Sequence, residues 1–100
     1  MPFNKDKNEA IELFFAAVKE IDERELAADF FDDLMTVNEL SSFSQRLLVA
    51  RMLLKGNTYQ RIEEATGVST ATISRVKRIL FGGKGGLRKV LERLEAEENK

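Results

Sequence analysis

The amino-acid sequence predicts an all-α fold. Apolar residues recur at three- and four-residue spacing along nearly the whole chain, no stretch alternates apolar and polar as a half-buried strand would, and cap residues and glycines punctuate the periodic segments. One hundred residues of a single apolar-rich composition allow one domain, 1–100, and a domain of that size covers a modest share of its surface unless it associates.

A first helix runs from about Lys5 to Ile21 behind Asn4 as its cap. It sets Ile11, Phe14, Phe15, Val18 and Ile21 on one face, with Phe14 and Phe15 as core anchors. Asp22 and Glu25 have capping-box spacing and open a second helix with Leu26, Phe30, Phe31, Leu34 and Met35 as its apolar stripe and an acidic opposite face. Thr36 with Glu39, then Ser42 with Gln45, repeat that spacing and predict a short helical turn before a longer helix from about Phe43 to Lys55. In the longer helix Leu47, Leu48, Val49, Ala50, Met52, Leu53 and Leu54 cover most of the circumference, and a helix apolar nearly all round is buried on several sides. One short chain hardly supplies that many neighbours. Lys55, Gly56 and Asn57 end the helix.

The stretch from Thr58 to Leu80, TYQRIEEATGVSTATISRVKRIL, reads as two short helices joined by a tight turn. Gly67 can take the left-handed conformation that reverses the chain, and Ser69 caps the second helix. Ile62, Ala65, Val68, Ile73, Val76 and Leu80 form one inward-facing set. The opposite face of the second helix holds Ala71, Arg75 and Arg78, flanked by Thr70, Thr72 and Ser74. Small side chains let a helix approach a groove floor, Thr and Ser hydrogen-bond base edges, Ala touches a thymine methyl, and Arg pairs with guanine or phosphate. That combination suits a DNA recognition helix. The plainer reading is a helical hairpin with a solvated polar face.

Gly82 to Gly86, GGKGG, ends that helix before a last one over 86–97, where Leu87, Val90, Leu91 and Leu94 share a face. It is not a phosphate-binding P-loop, because Lys84 is followed by Gly85 rather than Ser or Thr. Lys84 reads as a solvated lysine, with a phosphate contact as the alternative.

The formal net charge of −1 averages two unequal halves. Residues 1–40 carry four basic groups against eleven carboxylates, a net −7, and residues 41–100 carry twelve against six, a net +6. Between Ser69 and Leu91 lie Arg75, Lys77, Arg78, Lys84, Arg88 and Lys89 and no carboxylate, the kind of local patch that releases counterions from nucleic acid. With no cysteine and no histidine, a disulfide framework, a thiolate metal site and the commonest general base are absent, so neither a metal nor a cofactor is expected. Asp32 and Asp33, or Glu63 and Glu64, are helix neighbours pointing about 100° apart and do not converge as a catalytic pair would, so no catalytic residue is assigned. The opening MPFNKDKNEA lacks the apolar core of a signal peptide and no apolar run reaches the ~20 residues of a membrane span, so the expected location is cytoplasmic.

FFDDLMTVNEL, RLLVARMLLKG, Gln60-Arg61 and ATISR from Ala71 to Arg75 together resemble the Trp repressor superfamily, and most of all its Trp-repressor-like YerC/YecD branch. The resemblance implies an intertwined homodimer, with dimerisation helices over 1–57, a helix-turn-helix over 58–80 and a C-terminal helix over 86–97. It also implies two reading heads on neighbouring major grooves. The DNA-binding residues it implies, together with the reading above, are Gln60, Arg61, Ser69, Thr70, Ala71, Thr72, Ser74, Arg75 and Arg78. Arg46 and Arg75 match the two arginines that sandwich tryptophan in Trp repressor. Val76 stands where that protein has a glycine, and Ile79 where it has a ligand-holding serine. A candidate effector pocket of Arg46, Arg75, Val76 and Ile79 is therefore overfilled for an indole, by ~1–3 kcal/mol or about tenfold to more than a hundredfold in affinity. Free tryptophan is not expected as co-repressor. Arg75 then serves as a phosphate contact, and Arg46 pairs with a carboxylate.

The expected function is a sequence-specific, homodimeric DNA-binding transcriptional regulator, in the sense of a repressor, with double-stranded DNA and a second copy as partners, no membrane, and an undefined small-molecule effector. The competing reading is a helical dimeric protein–protein interaction module whose acidic half docks a partner.

Overall fold

The computed structural model describes residues 5–100, with side chains from residue 8. The described residues form six helices and no strand: α1 Lys5–Lys19, α2 Arg24–Leu34, α3 Val37–Leu54, α4 Tyr59–Thr66, α5 Thr70–Gly82 and α6 Gly86–Glu98. They belong to two compact units, one ending at Leu40 and the other spanning Ser41–Lys100.

In the first unit α1 begins where the apolar periodicity predicts, while its expected cap, Asn4, lies outside the described residues. The helix stops short of Ile21 because Glu20 and Ile21 donate their N–H groups to Ala17 and Val18, tightening the exit into a three-residue repeat. The predicted Asp22–Glu25 box does not form. Residues 20 and 21 are consumed by that exit, and α2 starts at Arg24 with Glu23 at the cap and no side-chain bond to the backbone. Phe14 and Phe15, expected as core anchors, are 37% and 57% exposed, and no residue of α2 is buried. Helices of 15 and 11 residues enclose little interior of their own.

Thr36 and Glu39 do form a capping box. The Glu39 N–H donates to Thr36 Oγ1 at 3.1 Å and the Thr36 N–H donates to Glu39 Oε1 at 2.9 Å. The Thr36 backbone N–H, and after it the Thr36 hydroxyl, hold the Glu39 carboxyl below its ordinary range. The expected short turn and separate helix are in fact one 18-residue helix, α3. Ser42 and Gln45 fall inside it, because neither Gly nor Pro interrupts 37–54 and a nucleated helix propagates until something stops it. That stop is Gly56, at φ 84°, where the Asn57 N–H and its side-chain amide both reach the Met52 carbonyl at 3.0 Å.

The second unit holds the core: Val49 and Ala50 of α3, Ile62 of α4, Ile73, Val76 and Leu80 of α5, and Leu91 of α6. The inward set predicted for the helix-turn-helix is therefore buried, except that Val68 is half-buried and Ala65 is exposed, its single methyl lying at the edge of the stripe. α5 packs against both α4 and α6. On α6, Leu91 enters the core and Leu87 touches it, whereas Val90 and Leu94, expected on the same face, are 59% and 42% exposed. Arg51 of α3 pairs with Glu98 near the end of α6 at 3.3 Å.

Candidate nucleic-acid interface

The start of each helix in the α4–α5 pair is fixed by a hydroxyl. Thr58 accepts the Arg61 N–H at 3.1 Å and Ser69 accepts the Thr72 N–H at 3.2 Å. Between them Gly67, at φ 76°, returns its N–H to the Glu63 carbonyl at 2.8 Å. The Thr66 hydroxyl donates to the Ile62 carbonyl at 2.7 Å and accepts the Val68 N–H at 3.3 Å. Every polar group of the turn so accounted for is bonded locally, and the buried Ile62, Ile73 and Val76 set the angle between the helices.

Of the residues expected at the interface, Gln60, Arg61, Ser69, Thr70, Ala71, Ser74, Arg75 and Arg78 are exposed and Thr72 is half-buried. Arg61, Arg75 and Arg78 have no carboxylate in ion-pair range among the described residues. The hydroxyls, by contrast, have protein partners: Ser69 with Thr72 at 3.1 Å, Thr70 with Glu63 of α4, and Ser74 with the Tyr59 hydroxyl at 3.5 Å. Gln60 reaches Glu64 at 3.4 Å.

Two neighbours escaped the sequence reading as site residues. Lys77 lies over the Tyr59 ring, 5.8 Å from its centroid, and the same tyrosine meets Ser74. Helix periodicity places Lys77 beside the exposed face of α5 that holds Arg75 and Arg78, but only tertiary packing brings Tyr59 to it.

Arg46, Arg75, Val76 and Ile79 do converge. With Thr72 they line a recess of about 120 Å³. Of the lining residues Val76 is buried, at 5% exposed, and Ile79 is half-exposed at 51%. A cavity of about 150 Å³ admits benzene, so this recess is small for an indole carrying an amino-acid backbone. A wider, almost wholly apolar depression of about 390 Å³ adjoins it, lined by Phe43, Arg46, Leu47, Val76, Ile79 and Leu87. Among the described residues Arg46 has no carboxylate in ion-pair range, contrary to the expected pairing, and its guanidinium stands 5.4 Å over the Phe43 ring. Among the described residues no group of three or more acidic, histidine or cysteine side chains could hold a metal ion, and no helix is long and apolar enough to cross a membrane.

The Trp repressor protein family matches residues 9–95. The chain is 45% identical over 98 residues to the uncharacterized protein YerC of Bacillus subtilis (strain 168), covering 98% of this chain and 94% of that one. Two solved structures are similar to it throughout. A TrpR-like protein from Eubacterium eligens ATCC 27750 is 48% identical with a TM-score of 0.84, over 93% of this chain and 96% of its own. A candidate Trp repressor from Staphylococcus aureus is 45% identical with a TM-score of 0.82, over 94% of this chain and 96% of its own.

Proposed function

Because the chain belongs to the Trp repressor protein family, we propose that it acts as a homodimeric, sequence-specific DNA-binding regulator of transcription, of the repressor type, and without free tryptophan as its effector. The outer face of α5 carries this reading. Ala71, Arg75 and Arg78 are exposed on a helix whose other side is locked into the core by Ile73, Val76 and Leu80. A helix with a close-approach start and two exposed guanidinium groups that meet no carboxylate among the described residues is suited to enter a major groove and bind its flanking phosphates.

A second copy is supported by apolar side chains that one chain leaves open: Phe43, Leu47 and Leu48 are 49%, 43% and 38% exposed, and Phe15 of α1 is 57% exposed. Exposed apolar side chains of this size are suited to an association surface. A dimer would place two α5 helices on half-sites about 34–36 Å apart.

Mobility shift on genomic fragments at two salt concentrations tests the reading, with the double substitution Arg75→Ala, Arg78→Ala beside the native chain. Binding should weaken at least tenfold, and the slope of log affinity against log salt should flatten by about 0.9 for each phosphate no longer neutralised. No binding at low salt, or an unchanged slope in the double variant, would favour the second reading, an interaction module docking through the acidic, apolar-rich residues 1–40. Titration calorimetry with tryptophan should give no stoichiometric micromolar signal, since the recess that Val76 and Ile79 line between the two arginines holds only about 120 Å³.

A further inference from the structure

Glu63 of α4 and Thr70, the first residue of α5, are joined across the turn by a side-chain hydrogen bond in which the Thr70 hydroxyl donates to Glu63 Oε1. A carboxylate at neutral pH carries no proton and can only accept, so chemistry fixes the direction of this bond. Thr70 has its single hydroxyl hydrogen committed to the protein and keeps only lone pairs for an outside partner. Its neighbours are not so constrained. Ser69 with Thr72, and Ser74 with Tyr59, are hydroxyl pairs in which either oxygen can donate. Thr70 is also exposed, at the end of α5 whose counterpart in helix-turn-helix proteins reaches base edges.

Resting on the DNA-binding reading above, we propose that Glu63 is a specificity-determining residue that holds Thr70 as a hydrogen-bond acceptor. An acceptor at this point selects a base edge that donates in the major groove, the N6 amino group of adenine or the N4 amino group of cytosine. It disfavours the O6 and N7 of guanine and the O4 of thymine, which only accept. Glu63 touches no base itself. It acts through Thr70, and its negative charge opposes nearby phosphates, so it lowers overall affinity while narrowing the choice of sequence.

Selection of bound fragments from a random DNA pool, run with the native chain, Glu63→Ala, Glu63→Gln and Thr70→Val, tests the assignment. The native chain should prefer adenine or cytosine at one contacted position by about fivefold, the worth of one net hydrogen bond. Glu63→Ala and Thr70→Val should flatten that position and leave the others intact. Glu63→Gln retains the side-chain volume and can give an amide hydrogen to Thr70, releasing the hydroxyl proton, and should relax the same position. Glu63→Ala should also bind an unselected duplex more tightly than the native chain, which a misfolded variant cannot do. If the native chain selects a site and both Glu63 variants keep its preference at every position, the assignment is wrong and the DNA-binding reading stands. If Thr70→Val keeps the preference that Glu63→Ala loses, Glu63 does not act through Thr70. If the native chain selects no sequence, both readings fall together.

Discussion

Glu39 and Thr36 exchange two hydrogen bonds at the start of α3, and the exchange makes that helix end sensitive to acid. The folded-state carboxyl lies below its ordinary value of 4.5. Its contribution is therefore complete above the unfolded value and is lost as pH falls through the folded one. The Thr36 amide proton, which reports on the carboxylate, should titrate with a midpoint under 4.5, and Glu39→Gln should abolish that titration. At this scale much of the sequence was legible. Gly67 and Ser69 act through their own backbone neighbours, so residue type and spacing are enough. Asp22 misled because a capping box needs the correct register as well as the correct residues, and the exit of α1 moved the register by one. The pairing of Glu63 with Thr70, and of Tyr59 with Ser74, joins residues seven and fifteen apart across a turn, and no local pattern announces it.

At the scale of elements, the same periodicity identified every helix, and its errors have physical causes. α3 was expected in two pieces because cap-like spacing recurs within it, but spacing without a helix breaker does not divide a helix. The face of α1 that its periodicity marks is apolar but not buried, since whether an apolar face is covered depends on neighbours that its own segment does not encode. α5 is central to the second unit, since it packs on both α4 and α6 and supplies Ile73, Val76 and Leu80 to the core. Ile73 is fully buried, and Ile73→Ala should cost about 2–5 kcal/mol in chemical denaturation. The same change should splay α5 from α4 and weaken any DNA binding more than its distance from the exposed face suggests. Of the candidate site, the exposed basic face was legible because it is one side of one helix. The recess between Arg46 and Arg75 joins residues twenty-nine apart, a distance no helical periodicity spans, so only family likeness makes it legible in the sequence.

For the molecule as a whole, the division of charge between residues 1–40 and 41–100 places the basic excess in the unit that carries α4 to α6. The apolar side chains left uncovered on α1 and α3 bear on behaviour in dilute solution. Where a second copy covers them, native structure and assembly share one equilibrium, and the unfolding temperature becomes a function of how much protein is in the cuvette. Scans at successive tenfold dilutions should give a midpoint that descends with each step. A midpoint indifferent to dilution would mean that the chain stands by itself and tolerates these greasy side chains in water.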